Sequence, residues 1–342
     1  MVVTLWIGAF VLVFIAAGVL YQLLGSRRDR KLHTGEGRWV TIGNGARLYQ
    51  FELGFGEPTV LFEAGFGATH LNWRHIQEAT SRFTCTVSYD RGGLGWSSRC
   101  RTARTPGNIA IELRQMLQRA GFRPPYILVG HSFGGLVMRR YAQLFPQEVA
   151  GVVLIDPMRC EEWPPLDPSK QSQIDLGRRL IRYATPIAAC GLARLLVSLL
   201  LCRAGKLSDQ IVGAAGANSS HVLDRIKTEV RKMPRQVWPA VAAHWSRPGF
   251  YAGMRRHLDS IPVAVEEMHA AEPIRSIPVT VLTPGNAAPL SQEHLEHIGD
   301  CVRQVIASKS AHWIHLDEPS LVIDSIRAMV AASVPESVGA AD

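Results

Sequence analysis

The chain has 342 residues, 47% hydrophobic and 19% charged, with a formal net charge of +8 at pH 7. That length and composition suit one large domain or two ordinary ones with a sizeable core, and they exclude wholesale disorder. The basic excess comes with no recognition helix and no aromatic-plus-basic pattern, so nucleic acid is not an expected partner, and an anionic lipid surface is the better reading.

Residues 2–24 carry no charged side chain. As a helix rising 1.5 Å per residue, this run spans about 35 Å, against a hydrocarbon core of about 30 Å. Arg27, Arg28, Arg30 and Lys31 follow directly, offset only by Asp29. No basic residue precedes the run, and the run is longer than a signal core. Residues 1–25 therefore read as an uncleaved transmembrane anchor rather than a cleaved signal peptide. The basic flank predicts that the rest of the chain lies on the cytoplasmic side. Residues 26–37 read as a basic linker.

From residue 38 strands and helices alternate. Residues 39–42 and 46–53 predict a β-hairpin around Gly43-Asn44-Gly45. Residues 59–63 form a third strand, ending at Gly65-Phe66-Gly67 before a helix that contains Trp73 and Ile76. Residues 83–89 form a fourth, closing on Asp90-Arg91-Gly92-Gly93-Leu94-Gly95-Trp96-Ser97. That turn has G-x-x-G spacing but no phosphate-binding lysine, so it reads as structural, with a local ion pair. Residues 108–120 have helical spacing and stop at Gly121. A fifth strand precedes Ser132, and a sixth covers 149–155. This order predicts a mostly parallel sheet covered by helices on both faces.

The alternation then stops. Residues 158–272 hold no clear strand, several prolines and much helix, and read as a helical cap inserted after strand six. Strands return at 278–283 and 301–307, and a helix closes the fold at 319–332. The division is thus anchor 1–25, linker 26–37, core 38–157, cap 158–272, core 273–334 and tail 335–342. Residues 183–202 contain a single charge, Arg194. A second span there would separate Ser132 from every later histidine by a bilayer, so a cap helix is preferred. Its arginine-interleaved apolar residues leave open whether it touches the membrane interface or is simply buried. The six cysteines, Cys85, Cys100, Cys160, Cys190, Cys202 and Cys301, show no metal spacing and read mostly as buried free thiols.

The chemistry centres on Tyr126-Ile127-Leu128-Val129-Gly130-His131-Ser132-Phe133-Gly134-Gly135. A β-branched apolar run enters G-x-S-x-G and a helix-forming run leaves it, which is the strand–turn–helix context of a nucleophile elbow. Ser132 is the candidate nucleophile. A serine hydroxyl needs an adjacent base, and in this architecture the histidine lies late in the chain, after the last strand. His312 and His315 both fall there, and His312, nearer the strand end, is preferred. The triad acid is expected between them in chain order. No carboxylate follows strand seven until Glu293, so Asp156, at the end of strand six, is chosen over Glu293, Asp300 or a water-supported dyad. The oxyanion donors are assigned to the backbone N–H groups of Phe133 and Phe66, with a plain glycine turn as the alternative at Phe66. His294 and His297 share a helical face, but no third ligand is visible, so no metal is expected.

These motifs resemble the α/β-hydrolase superfamily, in its lid-bearing branch. The resemblance rests on Ala64-Gly65-Phe66-Gly67, the Asp90–Ser97 turn, the Gly130–Gly135 elbow, and His312 followed by Pro319. It extends over residues 37–334. It implies an eight-stranded α/β-hydrolase fold and a metal-free, cofactor-free serine hydrolase working through an acyl-serine. Serine stands at the elbow where haloalkane dehalogenases and epoxide hydrolases carry aspartate, which argues against those reactions. The departure is the missing acid after strand seven. Some members place it after strand six, as Asp156 is here. A cap rich in leucine, alanine and tryptophan favours apolar or lipid-like carboxylic esters as substrates. A non-catalytic, membrane-tethered binding protein and a peptidase or thioesterase on the same triad are the rivals.

Overall fold

A computed structural model describes residues 2–43, 45–160, 168–199 and 230–333. Eight strands form one sheet in the order β1-β2-β4-β3-β5-β6-β7-β8. They are β1 (Arg38–Thr41), β2 (Arg47–Leu53), β3 (Thr59–Glu63), β4 (Thr86–Tyr89), β5 (Tyr126–His131), β6 (Val149–Ile155), β7 (Val279–Pro284) and β8 (Val302–Ala307). Pairings of β1 with β2 and β2 with β4 are antiparallel, and the rest are parallel. All eight expected strands are present. The hairpin is in register from Arg38 opposite Gln50 to Thr41 opposite Arg47, while Asn44 of its turn lies outside the described residues.

The helices, in chain order, begin with α1 (Val2–His33), α2 (Arg74–Thr80), α3 (Pro106–Ala120) and α4 (Phe133–Leu144). In the cap follow α5 (Pro168–Ala189), α6 (Leu192–Val197), α7 (Trp238–Trp245), α8 (Pro248–Asp259) and α9 (Ile261–His269). Last come α10 (Gln292–Ile298), α11 (Ile314–Asp317) and α12 (Pro319–Ser333). Helix α3 starts two residues before its apolar periodicity does. Thr105 accepts a hydrogen bond from the Asn108 N–H, and Pro106 opens the helix, where its missing donor costs nothing.

The two faces of the sheet carry separate cores. On β5, Tyr126 and Leu128 join Leu113, Met116 and Leu117 of α3 and Met138 and Tyr141 of α4. Ile127 and Val129 point the other way, onto Ile76 of α2 and Val322, Ile326 and Met329 of α12. This alternation along a strand buried at every position is the pattern of a doubly covered parallel sheet.

Two expectations are revised. The basic segment after the anchor is no linker at first, because α1 continues unbroken through Arg27, Arg28, Arg30 and Lys31 to His33. Arginine and lysine are good helix formers, and three basic groups in the last turn complement the helix dipole. The segment around Tyr183 is two helices rather than one, broken at Gly191 with φ +79°. Among the described residues the cap contains no strand. Residues 161–167 and 200–229, Cys202 included, lie outside the described residues.

The cap sits on the site. Leu258, Ile261, Val265 and Met268 from α8 and α9 share a cluster with Phe133, Leu136 and Val137, the first turns of α4. The described cysteines form no disulfide, and Cys85, Cys100 and Cys160 are buried as expected. Cys190 is half-buried and Cys301 exposed, against expectation.

Candidate active site

The elbow is built by close backbone contact. Ser132 has φ 53° and ψ −120°, a conformation that costs a non-glycine residue free energy and concentrates at functional sites. Its N–H donates to the Ile155 carbonyl (3.0 Å), and its own carbonyl accepts from Gly135 (2.9 Å) and Met158 (3.2 Å). A Cβ on Gly130 would lie 2.6 Å from the Gly134 carbonyl oxygen, and one on Gly134 2.4 Å from that of Glu63. Both flanking glycines are therefore required by packing. The Ser132 side chain is left half-buried at the N-terminus of α4, where free N–H groups favour negative charge.

The structure brings Asp156 and His312 together. His312 Nδ1 lies 2.6 Å from Asp156 Oδ2, with the imidazole one-third exposed and the carboxylate 18% exposed. Asp156 holds a positive φ of 38°, and its N–H donates to the Leu282 carbonyl (2.8 Å), so backbone pairing to β7 aims the carboxylate. The other acids are elsewhere. Glu293 is exposed in the first turn of α10. Asp300 accepts from the Ser276 N–H at 2.9 Å, which holds its carboxyl below the ordinary value. His315 is buried against Trp73, with ring centroids 4.8 Å apart. Burial, then the His312 ring, push it down to about 3. It packs, as expected.

His131, the variable residue before the serine, links the elbow to the histidine loop. Its Nε2 is 2.9 Å from the His312 carbonyl oxygen, and the two rings are 4.7 Å apart. Burial, with the His315 and His312 rings, pushes His131 well below its ordinary value. It is therefore neutral, and the geometry assigns its proton to Nε2, which donates to that carbonyl. The motif signalled the serine; nothing in it signalled this role for its neighbour.

The candidate oxyanion turn lies over the same serine. A Cβ on Gly65 would lie 3.5 Å from Ser132 Cβ, and the Phe66 and Phe133 rings meet edge-on at 6.5 Å. This turn is held by a residue that sequence reasoning placed elsewhere. Arg91 does not pair with Asp90. Its Nη1 donates to Glu63 Oε1 (2.7 Å) and the Ala64 carbonyl (2.5 Å), and its Nη2 donates to the Gly65 carbonyl (2.6 Å). Tyr89 donates to the second Glu63 oxygen. Burial pushes the Glu63 carboxyl up, and Arg91 opposes that shift. Asp90 instead accepts from the His70 and Trp96 N–H groups and contacts His70 Nδ1 at 2.8 Å. Burial alone would raise the Asp90 carboxyl, but His70, with His244 and the Trp96 N–H, holds the group below its ordinary value. Asp90 and Arg91, in the turn that follows β4, thus serve two separate networks.

Beside this site, between cap and core, lies a cavity of about 520 Å³. Phe66, Trp313, Ile181, Val241, Trp245 and Met254 are among its walls. His294 Nδ1 meets Ser291 Oγ at 2.5 Å, and among the described residues no three potential ligands converge on a metal position.

Residues 58–183 match the family described as the alpha/beta hydrolase fold. Among curated proteins, the uncharacterized protein YqjL of Bacillus subtilis (strain 168) is 32% identical over 117 residues, 34% of this chain and 46% of that protein. An AB hydrolase superfamily protein of Gibberella zeae is 30% identical over 104 residues, 29% of this chain and 32% of that protein. The chain thus spans under half the length of these curated relatives. Among solved structures, the ligand-free epoxide hydrolase CorEH superposes with TM-score 0.64 at 18% identity, over 86% of this chain and 98% of that one. With the sheet order and the elbow, these matches define the class: the chain has the α/β-hydrolase fold, and residues 58–183 carry the match to that family.

Proposed function

We propose that the protein is a membrane-anchored serine hydrolase that cleaves carboxylic esters of apolar or lipid-like substrates. The observation that carries this reading is the Asp156–His312 pair at 2.6 Å, beside an elbow that presents Ser132.

Ser132 Oγ attacks the ester carbonyl while His312 Nε2 takes its proton. Asp156 holds the Nδ1 proton and stabilises the imidazolium. The carbonyl oxygen becomes an oxyanion that accepts from the Phe66 and Phe133 N–H groups. His312 returns the proton to the leaving alkoxide, which departs as the alcohol and leaves an acyl-serine. Water, deprotonated by the same imidazole, then attacks the acyl carbon, and the acid is released with Ser132 restored. The apolar cavity supports a hydrocarbon acyl or alkyl group on the substrate.

Helix α1 supports the membrane part of this reading, because Thr4–His33 is long and apolar enough to cross a bilayer and only 6% of its apolar window is covered by protein. Its basic C-terminal flank favours a cytoplasmic site.

The test is fluorophosphonate labelling together with hydrolysis of an ester panel. Ser132→Ala is expected to abolish both. Persistent labelling of a folded Ser132→Ala protein refutes Ser132 as nucleophile. A folded wild type inert toward esters, thioesters and peptides favours a binding protein.

A further inference from the structure

The cap is clamped to α1. A Cβ on Gly18 would fall 2.2 Å from the Cys190 carbonyl oxygen, and one on Gly191 2.6 Å from that of Gly18, so the two backbones touch. Beyond this crossing, buried Arg194 donates to Gln22 Oε1 (3.0 Å) and Ser26 Oγ (3.3 Å) and pairs with Asp29 (2.7 Å). Gln22 in turn donates to the Ser246 carbonyl (2.9 Å).

The register of this clamp sets a depth. The uncharged run of α1 ends at Leu24. Gly18 lies six residues earlier, so the crossing sits about 9 Å inside the end of that run at 1.5 Å per residue. A bilayer that covers the bare apolar side chains of α1 therefore also reaches the cap around Cys190. The cap is apolar there on its outer surface. Leu176, Leu180, Tyr183 and Ile187 follow helical spacing along α5 at 43–64% exposure, and Leu192 and Leu195 continue the face on α6. Exposed Arg179 and Arg182 stand near the middle of α5, among these apolar residues, a pattern suited to anionic headgroups at an interface. Leu180, Ile181, Ala184 and Leu196 of the same two helices wall the cavity beside the active site.

We infer that the α5–α6 face is embedded in the interface of the leaflet next to it, and that the enzyme draws its ester from that leaflet. The first part rests on the reading of α1 as a membrane anchor; the second rests also on the hydrolase reading above.

The test uses the full chain in phosphatidylcholine–phosphatidylglycerol vesicles containing an alkynyl phosphatidylcholine. A photo-crosslinking residue replaces Tyr183, Ile187 or Leu195, with Leu5 as the lipid-exposed control and Phe55, 94% exposed on the core, as the aqueous one. Lipid adducts are expected at 5, 183, 187 and 195 and not at 55. Cap positions that label no more than 55 overturn the docking. For the route, the double variant Tyr183→Glu, Ile187→Glu is expected to hydrolyse a short soluble ester normally. It should lose about tenfold on a long-chain ester held in the vesicle. Equal effects on both esters overturn entry from the leaflet. Ser132→Ala separates the two readings, since it should stop turnover and leave the crosslinks intact.

Discussion

Replacing Asp156 by asparagine tests the least conventional member of the site. The variant keeps the shape of the side chain and removes its charge. In the wild-type geometry, His312 Nδ1 is 2.6 Å from Asp156 Oδ2, and most of both side chains is shielded from water. The charge centres of a carboxylate and an imidazolium in such contact are about 4 Å apart. At the effective dielectric of about 20 that suits a partly buried pair, their attraction is about 4 kcal/mol. The imidazolium forms only as the reaction proceeds, so this attraction is felt in the transition state and not in the resting enzyme. A loss of about 4 kcal/mol is about a thousandfold in kcat. An asparagine amide facing Nδ1 also favours the tautomer that cannot accept the serine proton, which acts in the same direction. Steady-state hydrolysis of a soluble ester, with thermal melting as the control for folding, reads the effect. The expected pattern is a kcat fall of about three orders of magnitude with KM little changed. A folded Asp156→Asn enzyme within a few-fold of wild type refutes the assignment, and a collapse in Glu293→Gln or Asp300→Asn would redirect it.

Three further outcomes follow from the same geometry. Arg91→Met leaves Glu63 buried with Tyr89 and no cation, so unfolding by urea should show a loss of about 3–5 kcal/mol; activity lost only in proportion to the unfolded fraction would show that the clamp on Ala64 and Gly65 is unimportant to catalysis. Gly134→Ala drives a methyl against the Glu63 and Ala64 carbonyl oxygens, at 2.4 and 2.6 Å, and should cost about 1–3 kcal/mol of stability and most of the activity. A fully active Gly134→Ala enzyme contradicts the packing argument. The third outcome concerns acid. Burial holds His244, against the opposing charge of Asp90, and His315 near a pKa of about 3, with His131 and His257 also pushed well below 6.5. Between 6.5 and those values the unfolded chain binds protons that the folded one refuses. Stability should therefore fall as pH drops below 6.5, by about 1.4 kcal/mol per pH unit for each such histidine. Urea midpoints unchanged from pH 7 to 5 would contradict it.

What the sequence revealed was whatever is encoded locally. The eight strands were legible because apolar runs met glycine and proline turns at the right intervals. Ser132 was legible because its turn chemistry is compressed into five residues. The pairing of His312 with Asp156 was legible by asking which polar residues stand at strand ends, a question that chain order can answer. The missed features are contacts between distant segments. Arg91 reaches Glu63 across 28 positions, and His131 reaches the His312 carbonyl across 181. Arg194, the lone charge in its stretch, was a hint of something buried, but its partner Gln22 is 172 residues away. The linker was misjudged for a different reason: charge marks where a hydrophobic run stops, not where a helix does.

The position of Asp156 has a consequence for how this scaffold can be rebuilt. The residue that orients the imidazole is separated from the cap by one proline, and Pro157 itself abuts the elbow helix, since a Cβ on Gly135 would lie 2.9 Å from its Cβ. An acid after β7 would be insulated from lid exchange; this one is not. Chimeras that graft a foreign lid must splice downstream of Pro157, or they will disturb the contact between Asp156 and His312.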